Sequence, residues 1–107
     1  MTAVIEKTTH HVRNYAVGTF RDDGTVAATK VETGFRPRYV RVVNLDDRTE
    51  MEHFVGMDDA TGLKTVADGT RTLAATNGIT VHDDGFTIGL DTDVLVTEKD
   101  LAWIAVG

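Results

Sequence analysis

Short β-prone runs, separated by Gly- and Asp-rich turns, fill most of this chain and recur about every 8 to 12 residues. The clearest run is RYVRVVNL, in which Val40 and Val42 would share one face of a strand and Arg41 the other. Helical periodicity is weak, and Gly62 interrupts the one stretch that could hold a helical turn. We therefore predict an all-β fold, a single antiparallel β-sandwich of about eight short strands, with the jelly roll among its candidate topologies.

The turn signals predict where the strands end. Asp and Asn side chains accept hydrogen bonds from the backbone of their own turn, and Gly adopts turn conformations that other residues avoid. The DDG sequence at 22–24 predicts a β-hairpin between the runs YAVGTF and TVAATKV, and TNG at 76–78 predicts a turn between two further strands. The other β-prone runs are TEMEHFV, LKTVA, TRTLAA, ITVH, GFTIG, DVLVT and LAWIAVG.

The first residues differ from the rest, because a short apolar tip at 3–5 is followed by polar residues. We divide the chain into an N-terminal arm, residues 1–13, and a β-sandwich domain, residues 14–107. The arm is either a flexible tail, as termini commonly are, or a strand that adds to a neighbour's open sheet edge. It lacks the pattern of a signal peptide, and no apolar run approaches the ~18 residues of a membrane span, so we expect synthesis in a cytoplasm and no membrane partner.

The composition points to assembly and away from nucleic acid. A chain of 107 residues has room for one domain, and its apolar residues are mostly aliphatic, with only seven Phe, Tyr and Trp residues in total. Such a small core gains stability by burying more surface against partner subunits. The net charge of −6 repels phosphate, so we expect no nucleic-acid partner.

Little in the sequence suggests catalysis or metal binding. The chain has no Cys and no Ser, which removes the commonest nucleophiles and every thiolate metal site. Its histidines have no zinc-motif spacing, and we interpret His53 as a surface or interface residue. We predict no catalytic residue, no cofactor and no metal site, and therefore no enzyme.

Four Asp pairs lie at predicted turns and admit two interpretations. Their oxygens could hold calcium or form an acid/base couple of a glycosidase. The alternative, which we favour, is that they cap their own turns. The pairs are Asp22-Asp23, Asp46-Asp47, Asp58-Asp59 and Asp83-Asp84.

A basic stretch precedes and enters the clearest strand. Arg36, Arg38 and Arg41 flank or follow the single proline, Pro37, and no acidic residue occurs between Thr33 and Leu45. These arginines either pair with aspartates on a solvated strand or form a docking face for an acidic protein surface, to which the guanidinium fork is suited. Together with the arm, they give the predicted protein-contact residues, which are Val4, Ile5, Arg36, Arg38 and Arg41.

Six motifs, taken in order, resemble a pattern of small all-β virion proteins of tailed bacteriophages and archaeal tailed viruses. The resemblance runs from about Tyr15 to Gly107, most of the chain. The order of the motifs is more specific than any one of them. They are TGFRPRYVRVVN, MEHFVGM, VADGTRTL, NGITV, DDGFTIG and LAWIAVG.

The resemblance implies a virion structural protein, with capsid decoration as its leading role. Such a protein would bind the major capsid protein and copies of itself, as a trimer on the capsid surface, and would stabilise the shell. By this analogy the arm from Thr2 to Val12 would contact the shell or a sister subunit, and Phe35, Phe86 and Trp103 would hold the core.

An alternative within the same resemblance is a tail, neck or fibre component with a receptor- or glycan-binding role. Its signal would be exposed aromatic rings that stack on sugar, with Tyr15, Tyr39 and Trp103 as candidates. Trp103 lies in an apolar run, which favours a place in the core over a place on the surface.

Overall fold

The computed structural model describes residues 14–107, which form eight antiparallel β-strands and no helix. The predicted all-β fold is therefore confirmed. The strands are β1 (Tyr15–Arg21), β2 (Thr29–Glu32), β3 (Tyr39–Asn44), β4 (Thr49–Phe54), β5 (Thr61–Thr65), β6 (Arg71–His82), β7 (Gly85–Ile88) and β8 (Asp100–Val106).

All eight strands belong to one sheet in the order β1-β8-β3-β4-β5-β6-β7-β2, and this sheet curls into a half-barrel. The predicted two-layer sandwich and jelly roll are not confirmed, since each strand is hydrogen-bonded to its neighbours in a single sheet. The predicted hairpin between the first two strands is wrong. Strand β1 pairs with β8 and β2 pairs with β7, at opposite edges of the sheet. The connection between them holds Val26 against the core instead of making a tight turn.

A contact between two aromatic rings shows how far the sheet curls. Phe86 of β7 and Trp103 of β8 lie edge to face, with ring centroids 5.6 Å apart. In the sheet order these strands are five spacings apart, which would be roughly 24 Å in a flat sheet. The curl therefore brings the inner sides of distant strands together, and one sheet encloses its own core.

The core lies on the inner side of this curl. Strand β3 shows the alternation that builds it, because Val40 and Val42 are fully buried while Arg41 is exposed, as the sequence predicts. The partly buried Phe35 and Trp103 pack against the core. The buried apolar residues are Val40, Val42, Met51, Ile79, Phe86, Ile88, Val94, Leu95, Leu101 and Ala105.

Strand β6 contains a bulge where the sequence predicts a turn. The pairing with β5 jumps from Thr61–Ile79 to Gly62–Ala74, so the residues between Ala74 and Ile79 have no partner in that register. Asn77 takes a left-handed conformation, with φ of 58°. The TNG sequence therefore bends one long strand and does not separate two strands, because the chain continues in the same direction after the bulge.

A further β-prone run, DVLVT, forms a buried loop and not a strand. Its residues Val94 and Leu95 are almost fully buried and fill the core from the end of the curl. Ion pairs fasten the loop to β5, since the Lys64 ammonium lies 3.1 Å from Asp91 and 2.8 Å from Asp93. The run is apolar, which agrees with its burial, but the predicted strand does not form and the backbone does not join the sheet.

Asn44 ties this loop to the turn that follows β3. Its side chain is fully buried, and its amide donates to the Val94 carbonyl and to the Asp47 carboxylate, both at 3.1 Å. Its side-chain oxygen accepts hydrogen bonds from the backbone N–H groups of Asp46 and Asp47. A single buried side chain therefore satisfies four polar groups at the end of strand β3.

We expect Asn44→Ala to lower the free energy of unfolding by about 2 to 3 kcal/mol, because it leaves the buried Val94 carbonyl and two partly buried backbone N–H groups without their partner. Urea denaturation followed by tryptophan fluorescence measures the change. Arg48→Ala is the control in the same turn, since Arg48 is exposed. An Asn44→Ala midpoint equal to that of the control would contradict this account.

Gly18 of β1 faces Trp103 across the β1–β8 pair and leaves space for its ring. A Cβ atom at Gly18 would lie 2.6 Å from the nearest ring carbon. We therefore expect Gly18→Val to displace the ring and to cost about 1 to 3 kcal/mol, as overpacked cores do. Thr19→Val is the matched control, because Thr19 points to the exposed side. Thermal unfolding of both variants tests this, and equal midpoints would refute it.

Candidate functional site

The outer face of the sheet, opposite the core, is the leading candidate for a functional surface. Within β1, β3 and β4, side chains alternate between the core and this face. The pairing register then aligns the outward residues of neighbouring strands into rows that cross the sheet. The composition of these rows shows what the face can bind.

The first row is apolar across four strands. Val106 of β8 pairs with Tyr15 of β1 on one side and with Tyr39 of β3 on the other, and Tyr39 pairs with Phe54 of β4. The rings of Tyr39 and Phe54 pack with centroids 5.1 Å apart. Tyr15 remains 60% exposed and Phe54 44% exposed, so the two ends of the row are open to solvent.

A second row runs parallel to the first and begins with Val17, which is 57% exposed, followed by Ile104. The two rows together form a contiguous apolar surface, unlike the single exposed apolar residues that are normal on proteins. We name this surface the apolar strip. It consists of Tyr15, Val17, Tyr39, Phe54, Ile104 and Val106.

Charged residues continue the face beyond the apolar strip. Arg41 forms an ion pair with Glu50 across the β3–β4 pair, and Arg71 lies 3.1 Å from Glu52. The two carboxylate side chains are 22% and 17% exposed, so the pairs are partly shielded from solvent. We name these four residues the charged band. Within each pair the opposite charges neutralise one another, so the charged band has no net charge.

The Tyr39 hydroxyl connects the apolar strip to the charged band. It donates a hydrogen bond to the Glu52 carboxylate at 2.7 Å. Partial burial, together with this hydrogen bond and the negative charge of Glu52, raises the pKa of Tyr39 to about 12. The phenol therefore stays protonated at neutral pH and holds Glu52 in place beside the ring pair.

Removing the charge of Glu52 should lower the pKa of Tyr39 toward its ordinary value of about 10, although partial burial keeps it somewhat raised. Absorbance titration of tyrosinate measures this in Glu52→Gln, with Tyr15→Phe as the background in both proteins. Because the pKa is raised in the folded state, the stabilising effect is complete below pH ~10 and is lost as pH rises toward about 12. An unchanged titration would show that Glu52 has no influence on Tyr39.

The structure does not gather the predicted arginines into one basic patch. Arg36 pairs with Asp83 at 3.2 Å, and Arg41 pairs with Glu50 on the outer face. The side chain of Arg38 forms no ion pair with any residue in 14–107. The two predicted contact residues of the arm, Val4 and Ile5, lie outside the described residues.

The sequence contains one signal for the apolar strip, in strand β8. The LAWIAV run of β8 is apolar at consecutive positions, whereas a strand with one face in solvent alternates apolar and polar residues. Such a run is typical of a strand that is covered on both faces. In the described chain the core covers only the inner face, so the outer side of Ile104 and Val106 is half-buried.

A shallow hollow opens on the outer face beside the apolar strip. Its volume is about 130 Å³, and it is lined by Arg41, Val43 and the middle of β8. Pockets that hold drug-sized ligands are usually about 300 to 1,000 Å³. The outer face is therefore better suited to a protein surface than to an enclosed small molecule.

The interpretation of His53 as a surface residue is wrong. Its side chain is 3% exposed, and its Nδ1 atom lies 2.9 Å from the Thr61 carbonyl oxygen. An Nδ1–H group donates to that carbonyl, so His53 is a structural residue on the inner side of the sheet that links β4 to β5.

Three of the four Asp pairs, all except Asp58-Asp59, provide turn hydrogen bonds or ion-pair partners through their side chains. Asp22 accepts a hydrogen bond from the backbone of Gly24, and Asp84 pairs with Lys30. Among residues 14–107, no three His, Asp or Glu side chains are grouped to hold a metal ion. The same part of the chain contains no helix with the length and apolar character to cross a membrane.

Comparison with models of protein families, with curated proteins and with solved structures finds no match. The candidate site therefore rests on the residues of this chain alone.

Proposed function

We propose that the protein is a virion structural protein, a capsid decoration protein that binds and stabilises the viral shell as an oligomer. The ordered motifs that resemble small virion proteins of tailed viruses support the viral setting. The observation that supports a binding role is the apolar strip, which runs without interruption across β1, β8, β3 and β4.

The partner proposed for the apolar strip is the major capsid protein. An exposed apolar surface bordered by charged residues is typical of protein interfaces, with aromatic residues as anchors at the centre. Tyr39 and Phe54 are preorganised for this role, because they already pack against each other. Covering the strip would bury β8 on both faces, as its apolar sequence suggests. The predicted two-layer packing would then form between subunits.

Arg38 gives this surface a preference for an acidic partner. Its backbone N–H donates to Val106 and its carbonyl oxygen accepts from Val55, which places its backbone between β8 and β4, directly before Tyr39 of the first row. Its guanidinium is not paired within the described residues, so a partner carboxylate can bind it bidentately. The proposed shell surface is therefore apolar at its centre and carries a carboxylate at its rim.

The alternative role, a tail or fibre component that binds glycan, has less support in the structure. Trp103 packs on the core against Phe86, and the Tyr39 hydroxyl is bonded to Glu52. Of the three candidate rings, only Tyr15 remains broadly exposed. A glycan array with the purified protein tests this alternative, which a complete lack of binding would remove.

The copy number in purified virions separates the two roles. A decoration protein should be present in rough proportion to the major capsid protein, because it occupies repeating positions on the shell. A tail or fibre component should be present in only a handful of copies. Quantitative mass spectrometry of virions gives this ratio, and absence from the particle would overturn both roles.

The apolar strip can be tested by placing a charge on it. Tyr15→Glu should weaken binding to shells that lack this protein by about tenfold or more, because a charge would be buried in an apolar interface. Leu90→Glu is the control, since Leu90 is 42% exposed in a loop outside the strip. Cosedimentation measures binding, and thermal unfolding confirms that both variants fold. Equal binding of the two variants would exclude the strip as the contact.

A further inference from the structure

The two edges of the sheet differ in how well they are protected. Strand β2 is four residues long and presents Lys30 and Glu32, whose charges discourage pairing with another strand. Strand β1 is seven residues long and is uncharged from Tyr15 to Phe20. A long, uncharged and proline-free edge strand is a ready template for a further strand. The β1 edge is therefore the one that needs a cover.

The open backbone groups of β1 follow from its pairing with β8. The N–H of Gly107 donates to the carbonyl oxygen of Asn14 at 2.9 Å, which extends the β1–β8 ladder by one pair. In an antiparallel pair, the backbone groups of alternate residues point to the same neighbour. Those of Asn14 point to β8, so within residues 14–107 the N–H and C=O groups of Tyr15, Val17, Thr19 and Arg21 lie on the side of β1 that has no partner strand.

The N-terminal arm, residues 1–13, is joined directly to the start of this same strand through Asn14. Fully extended, thirteen residues span up to roughly 45 Å, enough to reach an adjacent subunit. The arm has no proline, so each of its residues can donate to a strand ladder, and it contains the β-branched residues Val4 and Ile5.

The composition of the arm disfavours a return to its own β1 edge. Pairing with its own strand would require a tight hairpin turn between the arm and β1. Such turns depend on Gly, Asn, Asp or Pro, and none of these occurs in residues 1–13. Asn14 is the nearest turn former, and its carbonyl is already bonded within the sheet. The arm of a second copy meets no such restriction.

We propose that the N-terminal arm of a neighbouring copy, residues 1–13, adds to the open edge of β1 as a ninth strand. Each copy then gives its arm to one neighbour and receives an arm from another, which is a head-to-tail contact and forms a ring where the rotation between neighbours closes. Backbone hydrogen bonds provide the binding, and Val4 and Ile5 pack on opposite sides of the extended sheet. The inference rests on the proposed role as an assembling subunit, but not on which particle it joins.

Disulfide trapping tests the exchange directly, because the native chain has no cysteine. One protein carries Val17→Cys on the β1 edge, and partner proteins carry cysteine at one arm position each, Ala3, Val4, Ile5 or Glu6. Mixing the two proteins and oxidising them should give mixed dimers for alternate arm positions, since strand residues alternate in direction. Lys30→Cys, on the protected β2 edge, is the matched control and should give none above the level of random collision.

Other occupants of the edge would give different products. An arm folded on its own strand would cross-link only within a chain that carries both cysteines, with no mixed dimer. Direct pairing of two β1 edges would give dimers of the Val17→Cys protein alone. Preferential cross-linking to Lys30→Cys would place the arm on the other edge. Each of these results would overturn the proposal.

Hydrogen exchange in the full chain provides a second readout without cysteines. The amides of Val17 and Thr19 should be protected in the oligomer and should exchange about tenfold faster or more in Val4→Asp/Ile5→Asp. That variant should also lose its oligomeric mass in solution. Unchanged protection and mass would refute the exchange even if the protein is abundant on virions. Conversely, exchange without any virion binding would refute only the proposed function.

Discussion

The fold depends on the strong curl of its single sheet, and the contact between Phe86 and Trp103 shows that curl. A single sheet without a helix or a second sheet to cover it must bury its inner face against itself, and it can do so only by curling strongly. Gly18 leaves room for the Trp103 ring, and the bulge around Asn77 bends β6. Gly18 and the bulge in β6 thus stabilise the core indirectly, because they allow the sheet to curve around it.

The same constraint determines what remains outside. The inner face of the curled sheet forms the core, so within residues 14–107 the outer face and the β1 edge are available for binding. In this chain the outer face divides into an apolar strip and a self-neutralised charged band, with Tyr39 between them. Assembly through the face and assembly through the edge can coexist, because side chains point perpendicular to the sheet while backbone groups point along it. One strand, β1, contributes to both.

The sequence predicts the local features of this fold better than its long-range ones. The all-β class and the two faces of β3 are confirmed, because alternation is a local property. The hairpin between the first two strands and the turn at TNG are wrong, since DDG and TNG indicate local bends but not which strands pair. The run that holds Val94 and Leu95 is predicted as a strand but forms a loop, because that loop is held by Lys64 and Asn44, which are distant in sequence.

For the candidate site, the sequence draws attention to arginines because charge is conspicuous, and two of the three prove to be paired within the chain. The position of β8 has a further consequence for how the protein is made. Strand β8, residues 100–106, lies between β1 and β3 in the sheet. During synthesis β1 therefore leaves the ribosome long before β8, the strand with which it pairs, has been made. Until β8 has been made, β1 is an unpaired and mostly uncharged strand that can pair with another chain. Premature association of two copies would therefore begin on polysomes, where nascent chains are close together.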